Sequence, residues 1–109
     1  MSESFIYITC ADEAEAEAVG GMLVEKRLAA CVNILPGMRS LYWWRGKVER
    51  GEETVLIAKT RDDLVEALTE AVQAAHGYEV PCVVSLAITG GNPDFLTWIR
   101  DETTGAVKE

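Results

Sequence analysis

Two places in the sequence carry side chains suited to a soft or borderline metal ion: the segment His76-Gly77-Tyr78-Glu79-Val80-Pro81 and the isolated Cys10. Thiolate and imidazole are ligands that copper and zinc favour, and His76 is the single histidine of the chain. Cys10 and His76 therefore form the candidate metal pair, for copper in either oxidation state or for zinc, with Glu79 and Cys82 as additional donors. The same pair also has a purely structural reading. A free cysteine at a strand end packs as a small hydrophobe, and a histidine at a helix C-terminus is favoured by the helix dipole.

A second set, Trp44, Lys59, Tyr78 and Glu79, combines aromatic walls with charged handles, the make-up of a small-molecule cleft at a subunit boundary. Tyr42, Trp43 and Lys47 extend it. Adjacent tryptophans on a strand point to opposite faces, however, and such aromatics equally lock a hairpin onto a neighbouring subunit. Catalysis has little to work with. Glu52-Glu53 would diverge on a strand, Asp62-Asp63 sit at a helix start, and no Ser-His-Asp or Cys-His-Asp set is indicated. Cys10 and His76 as nucleophile and base would need contact within about 3 Å and an oxyanion donor. The loop Ala11-Asp12-Glu13 is acidic and unsuited to a phosphate. The chain is expected to bind its ligand without turning over a substrate.

These groups must be positioned by strands and helices that alternate along the chain. Phe5 to Cys10 is β-branched and aromatic, hence a strand. Asp12 stands at capping-box spacing from Glu15 and opens a helix whose stripe is Val19, Met22, Leu23 and Lys26. Gly20-Gly21 inside it points to close packing against a neighbour. Ala30 to Leu35 is a second strand that must bulge at Pro36-Gly37, because proline cannot donate a ladder hydrogen bond. It resumes from Met38 to Trp44, turns at Arg45-Gly46 and returns over Lys47 to Lys59. Thirteen residues of strand span about 40 Å and a helix of ~14 residues only about 21 Å, so the hairpin must project beyond its helices. Thr60 is the expected N-cap of a second helix with the stripe Leu64, Leu68, Ala71, Val72 and Ala75, closed by Gly77 in the left-handed conformation. Cys82 to Ile88 is a fourth strand. Asn92-Pro93 starts a third helix carrying Phe95, Leu96, Trp98 and Ile99.

The order β-α-β-β-α-β-α predicts an α+β, ferredoxin-like sheet with both long helices on one face. Cys82-Val83-Val84, Leu86-Ala87-Ile88 and Val55-Leu56-Ile57-Ala58 are apolar at successive positions, which implies burial on both faces. Partial cover by the third helix is one solution, and sister subunits are the other. In this topology Cys10, Trp43, Trp44, His76, Tyr78, Glu79 and Cys82 share one rim, and Cys31 lies at the opposite pole.

The totals fit one domain over residues 1–109, with 49% hydrophobic residues and a formal net charge of −8. An acidic surface repels phosphate backbones, which argues against nucleic acid as a partner. Three cysteines without a Cys-x-x-Cys pair and an N-terminus without a basic, apolar leader point to reduced thiols in the cytoplasm. No apolar run approaches the ~18 residues of a membrane span.

Leu28-Ala29-Ala30-Cys31-Val32-Asn33, Ser40-Leu41-Tyr42-Trp43-Trp44 with Gly46-Lys47, Lys59-Thr60, His76-x-Tyr78-Glu79-x-Pro81 and Phe95-Leu96-x-Trp98-Ile99 follow one another along the chain. Together they closely resemble the CutA family of divalent-cation tolerance proteins, over nearly the whole sequence from Phe5 to about Asp101. The resemblance implies a ferredoxin-like fold, an interlocked homotrimer similar to the PII-type signalling proteins, a link to tolerance of copper and other divalent metals, and copper binding by some members. The family's proposed copper ligands match Cys10 and His76. A further histidine found just before that position in some members is Ala75 here, and the usual His-Pro-Tyr is His76-Gly77-Tyr78. The alternative reading is a PII-like regulatory or scaffolding trimer that binds a small molecule in clefts near Trp44, Lys59, Tyr78 and Glu79.

Overall fold

The computed structural model describes residues 2–107. Its elements are β1 (Glu3–Cys10), α1 (Glu13–Glu25), β2 (Cys31–Trp44), β3 (Lys47–Arg61), α2 (Val65–Ala75), β4 (Val83–Ala87) and α3 (Pro93–Glu102), with a short 3₁₀ turn (Asp62–Leu64) leading into α2. The strands pair antiparallel in the order β2-β3-β1-β4. This is the ferredoxin-like split βαβ arrangement that the element order predicts.

The register sorts the side chains of each strand onto two faces. Ile6, Ile8 and Cys10 stand opposite Ala58, Leu56 and Thr54, and they are buried with Ala16, Val19 and Leu23 of α1 and Leu68 and Val72 of α2. Both long helices therefore cover this face. Only the first residue of the Gly20-Gly21 pair makes a close approach. A Cβ on Gly20 would lie 3.0 Å from Val32 Cγ2 and 3.1 Å from Leu56 Cδ1, whereas one on Gly21 would meet nothing within 4 Å. Along β2 the register slips between Leu35 and Met38, and Gly37 takes a φ of +81°, so Pro36-Gly37 is accommodated as a bulge. Arg45 and Gly46 both have positive φ, 51° and 81°, as a two-residue hairpin turn of the primed type requires.

Phe5 and Tyr7 point to the opposite face, beside Lys59 and Ile57 of β3 and Leu86 and Val84 of β4. α3 lies against one end of it. Arg100 pairs with Glu3 at 3.1 Å, Lys59 Nζ sits 5.9 Å from the Phe95 ring, and Ile99 is fully buried. Val84 and Leu86 nevertheless remain 51% and 52% exposed. The helix covers only part of the apolar face, and the rest is open in the single chain.

Two local expectations change. Thr60 does not cap α2, because β3 continues to Arg61 and the helix begins only after the 3₁₀ turn, without a side-chain cap. Thr60 is instead buried in the sheet. Gly77 does not close α2 in the left-handed conformation. The helix ends on His76 in an extended conformation (φ −87°, ψ 146°). By contrast, Asn92 caps α3 as expected, accepting from the Asp94 N–H, with Pro93 in the first turn.

Candidate functional site

Cys10 is the last residue of β1, and His76 is the residue on which α2 ends. Because β1 and α2 finish at the same pole of the sheet, these two groups meet across 66 positions of sequence. They are joined by a third. Donor atoms of Cys10, Glu15 and His76 all lie within 4.8 Å of one another, and among the described residues this is the one such gathering of cysteine, histidine and carboxylate groups. Glu79 and Cys82, expected as additional donors, are not part of it.

The imidazole of His76 is wholly buried, and both ring nitrogens are engaged. Nδ1 lies 3.0 Å from the Tyr78 backbone N–H, and Nε2 lies 2.7 Å from the Thr9 carbonyl oxygen. A backbone N–H can only donate and a carbonyl can only accept. Nδ1 is therefore the bare nitrogen and Nε2 carries the proton, in a neutral ring.

Glu15 is read from the sequence only as a capping partner of Asp12, and it does serve there. Its N–H donates to Asp12 Oδ1 at 2.8 Å, and its Oε1 accepts from the Ala11 N–H at 2.9 Å. Its Oε2 reaches further, to the Gly77 N–H at 2.9 Å, and Oε1 lies 3.7 Å from His76 Nε2. One carboxylate thus ties the start of α1 to the loop after α2. Gly77 permits this, since a Cβ there would come within 2.9 Å of Glu15 Oε2. The signal that could have revealed Glu15 is its distance of five residues from Cys10, one short loop and one helical turn beyond the strand end.

Cys10 is fully buried. Burial, and after it the negative charges of Glu15, Asp12 and Glu53, push its thiol up to about 11. At neutral pH the sulfur is protonated, and it becomes a strong donor only when a cation replaces the proton.

Next to this cluster opens a cleft of about 780 Å³ lined by Tyr7, Tyr42, Trp44, Tyr78, Glu79 and Cys82 among others. Of the residues expected in a cleft, Trp44, Tyr78 and Glu79 are here. Lys59 is not. It stands beside Cys31 at the far pole, where Nζ donates to Asn33 Oδ1 at 2.6 Å. Trp43 points away from the cleft and is 74% exposed, as the strand alternation requires. Tyr78 Oη donates to Glu53 Oε2 at 2.7 Å, and burial followed by this hydrogen bond raises the phenol well above its usual range. Glu79 pairs with Arg45 at 2.7 Å, but both are largely exposed, and such a pair contributes little.

Residues 4–102 match the family model for the CutA1 divalent ion tolerance protein. The chain is 46% identical to the chloroplastic Protein CutA 1 of Oryza sativa subsp. japonica over 90% of its own length and 55% of the relative's. It is 45% identical to the divalent-cation tolerance protein CutA of Archaeoglobus fulgidus, over 92% of this chain and 96% of that one. It thus spans just over half the length of the rice relative and nearly all of the archaeal one. The crystal structure of CutA1 from Oryza sativa superposes with a TM-score of 0.93 at 42% identity, covering 97% of each chain.

Proposed function

The chain belongs to the CutA1 family of divalent ion tolerance proteins, and from that premise we propose that it binds divalent metal ions, copper foremost, through Cys10 and His76, as a non-enzymatic homotrimer. The observation that carries this reading is the meeting of a thiol and an imidazole, brought from a strand end and a helix end into one buried spot with their donors within 4.8 Å. A thiol–imidazole donor set fits copper or zinc. Bound there, such an ion would supply a charge that holds the thiolate and links β1 to α2. Cys10 gives up its proton to solvent on binding, and His76 must present Nε2 without a hydrogen. The reading needs a compartment that keeps thiols reduced, and we assign the chain to the cytoplasm on that ground. The homotrimer is supported by the apolar sheet face that α3 leaves open at Val84 and Leu86.

The test is a chelator-competed copper titration of the reduced wild type beside Cys10→Ser and His76→Ala. Both variants should lose affinity by tenfold or more, about 1.4 kcal/mol or above. Equal binding by all three chains removes the site.

A further inference from the structure

We propose that Glu15 is the third protein ligand of this centre, and that its carboxylate selects a divalent ion, copper(II) or one of the zinc or cobalt(II) kind, over copper(I). The inference rests on Cys10 and His76 being ligands, and it adds a residue and a preference to that reading.

The geometry is close to what is needed. In a four-coordinate thiolate–imidazole–carboxylate site, bond lengths of about 2.0–2.3 Å set the donors roughly 3.3–3.8 Å apart. Glu15 Oε1 is already 3.7 Å from His76 Nε2, and the widest separation among the three donors is within 4.8 Å. Closing the set takes about 1 Å of movement on that scale, together with release of Nε2 from the Thr9 carbonyl that it meets at 2.7 Å. The hydrogen bonds from Ala11 and Gly77 use one lone pair on each carboxylate oxygen. A second lone pair stays free on each, and the two backbone donors fix the orientation of the group, as outer-shell partners of metal ligands do. The Glu15 side chain is 19% exposed and that of His76 is not exposed at all, so the carboxylate is the donor an arriving cation meets first.

Charge decides the preference. A net charge held in a buried site is costly. A thiolate, a neutral imidazole and a carboxylate together carry two negative charges, which a divalent ion cancels. With copper(I) the same three donors leave one negative charge over, whereas Cys10 and His76 alone would balance it. Binding a divalent ion exchanges it for the Cys10 thiol proton, which leaves to water, moves the His76 ring proton from Nε2 to Nδ1, and changes no oxidation state.

The experiment measures zinc(II), cobalt(II) and copper(I) affinities, each against a competing chelator, on the reduced wild type, Glu15→Gln, Cys10→Ser and His76→Ala. Glu15→Gln should weaken zinc and cobalt by about tenfold or more, remove the intense visible bands of tetrahedral cobalt, and leave copper(I) unchanged. Retained zinc affinity in Glu15→Gln overturns the inference while Cys10 and His76 stand. Equal loss of zinc and copper(I) also overturns it, since Glu15 then acts only by holding the loop. Wild-type binding by Cys10→Ser and His76→Ala removes the metal reading itself and the inference with it. Where Glu15→Gln does not fold, the carboxylate carbon resonance of Glu15 in the wild type replaces it. That signal must move in proportion to zinc up to one equivalent, and a signal that stays in place overturns the inference.

Discussion

The Tyr78 backbone N–H points at Nδ1 of His76 from 3.0 Å, and this short-range contact determines what coordination at His76 must entail. With Nδ1 accepting, the ring proton sits on Nε2 and is held by the Thr9 carbonyl. Coordination through Nε2 moves that proton to Nδ1, where it faces the Tyr78 N–H. Two donors cannot share that approach, so the ring or the 76–78 backbone must shift. Tyr78 also lines the neighbouring cleft and holds Glu53 through its hydroxyl. A metal ion bound at Cys10 and His76 would therefore be felt at the cleft wall.

Cys10 makes stability depend on alkaline pH. Its thiol is raised to about 11 by burial and by nearby carboxylates, so the folded chain holds this proton more tightly than the unfolded chain does. The stabilising contribution is complete below the unfolded thiol's range, near pH 8.5–9, and is lost as pH rises through about 11. The loss should amount to roughly 2–3 kcal/mol by linkage. Urea melts of the metal-free chain should show the decline from about pH 9 in the wild type, and in Cys10→Ala only the later and smaller part that the raised Tyr78 phenol contributes. Metal affinity should rise about tenfold per pH unit over the same range, as expected for release of one proton.

The two adjacent glycines of α1 should answer oppositely to alanine. At Gly20 the new methyl meets Val32 and Leu56 at 3.0–3.1 Å, and the overpacking of about 1–3 kcal/mol outweighs the gain in helix propensity. At Gly21 nothing lies within 4 Å, and Gly21→Ala should stabilise by up to about 1 kcal/mol. Denaturant midpoints of the two variants check this pair. Equal shifts would show that α1 does not press on the sheet at Gly20.

Tyr78→Phe removes the only side-chain donor that reaches Glu53 Oε2 among the described residues. The part-buried carboxylate then loses a charged hydrogen bond, and stability should fall by about 1.5–3 kcal/mol. Zinc affinity should not change, because the backbone N–H that faces His76 remains. A large loss of affinity would place the hydroxyl in the metal centre.

Leu86 lies on the open sheet face at 52% exposure. Leu86→Glu should leave the single fold intact and weaken the proposed assembly by at least about tenfold, since a charge is placed on the open apolar face that would be covered. Sedimentation of the wild type should give three chains, and the variant should give lighter species at the same dilution. A wild type that sediments as one chain contradicts the homotrimer.

The framework was legible in the sequence because its signals are local. Pro36-Gly37 marked the bulge, Arg45-Gly46 the hairpin turn, and Asn92-Pro93 the start of α3, each through a backbone constraint that needs no tertiary context. Cys10 and His76 came together once the topology was fixed. Glu15 was missed because its local capping bond explains it completely, and its second oxygen bonds Gly77 from 62 positions away. Thr60 misled for a related reason. A good capping residue counts for little when the strand before it is still paired, as Thr60 is with Ser4. Lys59 falls outside the cleft because its register partner, Cys31, lies at the other pole.

The most direct test of metal binding at Cys10 and His76 uses the fact that the chain has one histidine, so its imidazole nitrogen resonances are unambiguous. In the reduced, metal-free wild type they should report a neutral ring protonated at Nε2. One equivalent of zinc should switch the ring to the Nδ1-protonated form and shift the Tyr78 amide with it, and Cys10→Ser should abolish the switch. Imidazole signals that stay unchanged at saturating zinc would contradict coordination at His76 and the account of the site built on it.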